Sequence, residues 1–79
     1  MEGYIVITSI TTFDGKFAEV KSHTYYTLAE AEETFYSFLG RNRKIKTFAS
    51  HSAIILAYDG TFIRSDGYTH EPPQPVDET

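Results

Sequence analysis

The chain has 79 residues, a formal charge of −4, 41% hydrophobic and 23% charged residues, and neither cysteine nor tryptophan. That length holds one small domain and not two, because a self-sufficient core needs roughly 50 residues or more. Without cysteine there is no disulfide framework, no thiolate nucleophile and no cysteine-based zinc or iron–sulfur site.

The charge is unevenly placed. Residues 71–79 hold Glu71, Asp77 and Glu78, no base, and all three prolines, Pro72, Pro73 and Pro75. They are expected to form a disordered acidic tail, too polar and proline-rich to join a sheet. Residues 1–70 are then a single, nearly neutral domain. Its apolar runs fall far short of the ~18 residues of a membrane span. No basic region followed by an apolar stretch opens the chain, so no signal peptide is expected and the cytoplasm is the expected compartment.

Residues 4–10 are β-branched and aromatic on both alternating faces, which predicts a central strand. Asp14-Gly15 follows, a two-residue hairpin signal in which both positions tolerate positive φ. The return strand is expected over residues 17–25. Its alternation suggests Ala18, Val20, Ser22 and Thr24 toward the core, and Phe17, Glu19, Lys21, His23 and Tyr25 partly toward solvent. Whether Ile5 and Ile7 or Val6 and Ile10 share the core face depends on the turn register, which sequence does not fix.

Thr27-Leu28-Ala29-Glu30 fits a capping box opening a helix, and Glu30, Glu32 and Glu33 suit its positive end. Leu28, Ala31, Phe35, Phe38 and Leu39 recur at helical spacing and form one apolar stripe. Gly40 is the expected C-cap, with Arg41 and Arg43 at the negative end. Residues 45–50 alternate as a strand, residues 53–58 are almost wholly apolar, and Asp59-Gly60 turns the chain into a strand from Thr61. Asp66-Gly67 is expected to end that strand or to make a last turn. Phe13-Asp14-Gly15-Lys16-Phe17 and Tyr58-Asp59-Gly60-Thr61-Phe62 share an aromatic-Asp-Gly-x-Phe pattern and mark two matching hairpins. The fold class expected is α+β, an antiparallel sheet of four to five strands with one helix packed on one face, in the order ββαββ, or ββαβββ if residues 45–50 form a strand of their own.

Candidate chemistry is sparse. His23, His51 and His70 have no mutual spacing that makes a ligand pair on one strand or helix, and read as surface histidines. Ser50 and Ser52 flank His51, but neighbouring strand residues point to opposite faces and form no dyad. No phosphate loop or dinucleotide fingerprint occurs. No catalytic residue, metal or cofactor is therefore expected, and a small enzyme using His51 with a carboxylate is the least favoured reading.

The remaining candidates are surfaces. Arg41, Arg43, Lys44 and Lys46 form a basic stretch that suits phosphates or an acidic partner, or a nucleic-acid role if aromatics lie beside it. Glu30, Glu32 and Glu33 offer a negative face to a basic protein partner. Tyr25, Tyr26 and Tyr36 are candidate contact residues because tyrosine is enriched in binding hot spots.

In length, acidity, lack of cysteine and architecture the chain resembles the small accessory proteins that phages encode to bind and inhibit host machinery, anti-CRISPR proteins among them. The resemblance rests on no particular residue, and no family residue is carried over. It implies a larger host protein or complex as partner. The leading expectation is a non-catalytic protein-binding module, and the alternative is a nucleic-acid-binding module using residues 41–46. A homodimer formed through the open sheet edges is expected on size alone.

Overall fold

The computed structural model describes residues 3–71, in which the chain runs β1 (Tyr4–Thr11), β2 (Phe17–Tyr25), α1 (Leu28–Asn42), β3 (Ser50–Ala57) and β4 (Phe62–Thr69). All strand pairs are antiparallel in one sheet of order β2-β1-β3-β4. The two-faced apolar pattern of β1 does place it centrally, and the fold is α+β with one helix on one face. Apart from Glu71, the anticipated tail lies outside the described residues.

The helix begins as the capping box requires. The Thr27 hydroxyl oxygen accepts from the Glu30 amide at 3.2 Å and donates to the Glu30 carboxylate at 2.9 Å. Ala31, Phe35 and Leu39 from the apolar stripe are buried against Val6 of β1 and Ala53 and Ile55 of β3, with Leu28 and Phe38 at the margin. The register thus sends Val6 and Ile10, rather than Ile5 and Ile7, to the core side.

Both hairpins use the same device, and it has three loop residues rather than two. Gly15 N–H donates to Thr12 C=O and Thr12 N–H to Lys16 C=O; Gly60 N–H donates to Ala57 C=O and Ala57 N–H to Thr61 C=O. Only the glycines turn left-handed, Gly15 at φ 86° and Gly60 at φ 89°. This is a type I turn closed by a left-handed glycine, which spares the aspartate any positive φ. Each aspartate instead bonds forward. Asp14 accepts from the Lys16 amide and Asp59 from the Thr61 amide. Hydrogen bonds, led by those from Thr12 and Thr61, hold both carboxyls below their ordinary range.

Four further expectations are corrected. Residues 45–49 form no strand: the Ile45 amide bonds back to Asn42 C=O, and the Ala49 amide reaches Thr11 C=O only as β3 begins. Gly40 lies inside α1 rather than capping it; Arg43 is the C-cap, and Asn42 bonds the Phe38 carbonyl at 2.9 Å. Asp66-Gly67 sits within β4, where Gly67 pairs with Ser52 and a Cβ would come within 2.7 Å of the His51 carbonyl.

The face of β2 is reversed as well. Tyr25, His23, Lys21 and Glu19 pair with Tyr4, Val6, Thr8 and Ile10, so they lie on the helix side, and Val20, Ser22 and Thr24 lie on the other. The reason is width. A helix about 10 Å across covers roughly two strands spaced about 4.8 Å apart. β1 and β3 receive it; Tyr25 and Tyr68 of the edge strands still pack on the core, and the other helix-side positions there, Glu19, Lys21, His23, Arg64 and Asp66, take polar or charged side chains.

Among the described residues no helix is long and apolar enough to cross a membrane.

Candidate functional site

Glu32 and Tyr36 stand one helical turn apart and share a flank of α1. Phe35 beside them is buried, and its ring meets the Tyr36 ring edge-on with centroids 5.0 Å apart. Arg64 lies opposite Ile55, which puts it on the helix-covered side of edge strand β4. Its guanidinium donates to the Tyr36 hydroxyl, lies 5.7 Å from the ring centroid, and stands 3.5 Å from the Glu32 carboxylate. The result is a half-exposed tyrosine fixed by an arginine that is itself fixed by a glutamate. A surface ion pair of this kind stabilises the fold by at most about 1 kcal/mol. Its effect is to restrict side chains before anything docks.

Elsewhere the candidates separate. Tyr25 packs on the core and its hydroxyl accepts from Thr34 at 2.6 Å, so its ring is committed to the fold. Tyr26, 84% exposed, borders a cleft with Tyr4, Ile5 and Tyr58 at one end of the sheet. Glu30 is occupied as the helix cap. Glu33 and Arg41 line one groove with Glu30. Arg43 turns the other way, its guanidinium 5.3 Å from the centre of the Tyr68 ring. Lys44 and Lys46 are exposed in the segment between α1 and β3. Arg41 and Arg43 therefore have different surroundings, and Phe48 packs against His51.

The histidines hold the largest departure from the sequence reading. His51 is 1% exposed, and neither ring nitrogen has a hydrogen-bond partner among the described residues. Phe38 from α1, Phe48 from the preceding segment, and Tyr68 and His70 from the β4 end surround it. Burial, reinforced by the nearby His70, pulls the His51 pKa down. Burial pushes the Tyr68 phenol up against the opposing pull of Arg43. The pairing of His51 with Tyr68 follows from the β3–β4 register, which an extended β4 would have indicated. Two imidazoles meet here, but among the described residues no group of three or more histidine, cysteine or acidic side chains is placed to hold a metal ion. Ser50 and Ser52 lie on the opposite face from His51, as strand alternation requires, and are bonded to Thr11 and Ser9.

Arg64 is the residue sequence reasoning missed. From sequence it is only one residue of the strand that starts at Thr61, because the three-residue loop and the bulge before it set its register. The chain matches no family model, no curated protein and no solved structure.

Proposed function

We propose that this protein is a non-catalytic protein-binding module that acts by occluding or bridging a larger partner. The observation that carries the reading is the Tyr36–Arg64–Glu32 cluster, an exposed tyrosine and arginine held in place on the rigid helix and sheet. Tyrosine and arginine dominate binding hot spots, and a side chain ordered beforehand loses little entropy on docking. Glu33 extends the acidic side of this surface. The partner chemistry that fits is a protein surface with an apolar seat for the tyrosine ring, rimmed by basic groups facing Glu32 and Glu33.

The test is affinity capture of partners from the native cell by the wild-type chain and by Tyr36→Ala and Arg64→Ala. The reading predicts one protein recovered in fixed proportion by the wild type and lost from both variants. Equal recovery by all three, or turnover of a substrate by the purified chain, overturns it. A salt-steep shift of RNA or DNA mobility, lost in an Arg41→Ala, Arg43→Ala and Lys44→Ala triple variant, would instead assign a nucleic-acid role.

A further inference from the structure

Directly opposed residues in an antiparallel pair point to the same side, so the register fixes what the uncovered face of the sheet presents. Its middle opposes Ile5 to Leu56, Ile7 to Ile54 and Ser9 to Ser52 across β1 and β3. Around these lie Thr24, Ser22 and Val20 on β2, and Ser65, Gly67 and Thr69 on β4. Irregularities near the hairpins bring Phe17 opposite Thr11 and Phe62 opposite Leu56. Two phenylalanines, 69% and 56% exposed, therefore stand at diagonal corners of the face. None of these positions is charged, although a water-facing side of an antiparallel sheet ordinarily carries the polar alternates.

We propose that this face is covered by a second copy of the chain, the two sheets packing face to face about a two-fold axis that runs along the strands. The pattern is self-complementary under that operation. β1 of one copy lies over β3 of the other, so Ile5 meets Leu56, Ile7 meets Ile54 and Ser9 meets Ser52. Each bulky corner meets a small one, Phe62 over Thr24 and Phe17 over Thr69. An axis across the strands would set the isoleucines against hydroxyls instead. No charge is buried on either copy, so association carries no ionic desolvation penalty.

The area suffices. Four strands about 4.8 Å apart and about 27 Å long give a footprint of roughly 500 Å² per copy, or on the order of 1,000 Å² for the pair, the lower bound for a specific interface. The strand edges anticipated from sequence are poorer surfaces. Glu19 and Lys21 on β2, Arg64 and Asp66 on β4, and an irregularity in each outer pairing blunt them. The proposal is independent of the Tyr36 reading, and it leaves the Tyr36–Arg64–Glu32 cluster exposed on the other side of the sheet.

Sedimentation of the full chain at tens of micromolar tests it. The expected result is a mass of two chains for the wild type and for Ser37→Lys on the exposed helix side. Ile54→Lys and Ser52→Lys should sediment as one chain, with helical circular dichroism retained. If Ile54→Lys unfolds, Ser52→Lys decides, because Ser52 is exposed and its replacement removes no core. A wild type at the mass of one chain, or folded lysine variants still at two, overturns the proposal.

Discussion

The helix-covered face of the sheet carries charge on its edge strands, while the uncovered face carries none on any strand. Under the helix, Val6, Ala53 and Ile55 form the core, and Glu19, Lys21, Arg64 and Asp66 flank them on the edge strands, Arg64 reaching the helix only at its exposed Glu32–Tyr36 flank. On the other side, isoleucine and leucine give way only to serine, threonine, valine, glycine and phenylalanine. A single-layer domain that kept this second face in water would have its charged residues the wrong way round. The contrast teaches that the helix reaches one face of the sheet and leaves open the uncharged one, on which the proposed second copy would sit.

The strongest way to break the comparison is to weaken the covered face. Phe35 is fully buried at the centre of the helix contact. Phe35→Ala should lower unfolding free energy by about 3–5 kcal/mol, a large fraction of the stability of so small a domain. Urea titration followed by circular dichroism measures it. A loss below about 1 kcal/mol would mean that the helix face is not the principal core.

His51 offers a pH handle on the same face. Its folded-state pKa lies below the ordinary value of 6.5, so the unfolded chain takes up the proton first as pH falls. Its contribution is fully present above pH 6.5 and declines as pH drops through that value toward the folded-state pKa. The groups facing it are His70, Tyr68, Phe38 and Phe48, with the Arg43 cation behind Tyr68 adding no compensating negative charge. The urea midpoint should fall between pH 7.5 and pH 5.5, and this fall should shrink in His51→Phe. An unchanged slope in that variant would assign the pH response to other groups.

Much of this architecture was legible in the sequence, and the exceptions have physical causes. The two-faced apolar run of β1 placed it centrally, and Thr27 and the stripe through Phe35 defined the helix. The aromatic-Asp-Gly-x-Phe repeats marked both hairpins, because a left-handed glycine after a type I turn leaves that signature. The covered side of β2 was not legible, since alternation gives two faces without saying which one a narrow helix reaches. The length of β4 was hidden by Asp66-Gly67, a turn signal used here for close approach of Gly67 to the His51 carbonyl. The Arg64 contact and the His51 cluster depend on that register, so both were hidden with it. Of the surface candidates, Tyr36 and Glu32 come together, whereas Arg41 and Arg43 face different neighbours.

Smaller changes sharpen the account at its periphery. Thr27→Ala removes the helix cap and should cost about 1 kcal/mol by thermal or urea unfolding, without altering the sheet. Arg64→Ala should change stability by less than about 1 kcal/mol, because the Glu32 and Tyr36 contacts lie at the surface. Loss of partner capture with unchanged unfolding would separate binding from folding at that residue. A large stability loss would make Arg64 a structural residue.

The absence of cysteine from the chain permits a direct measurement on the two faces. A single Ser52→Cys at the middle of the uncovered face should react slowly with a soluble thiol reagent at tens of micromolar and faster on dilution, while Ser37→Cys on the helix surface should react at a rate independent of concentration. Concentration-dependent shielding of Ser52→Cys is the result predicted for two sheets packed face to face. Equal, concentration-independent rates at both positions would contradict it and leave the uncharged face without a second copy.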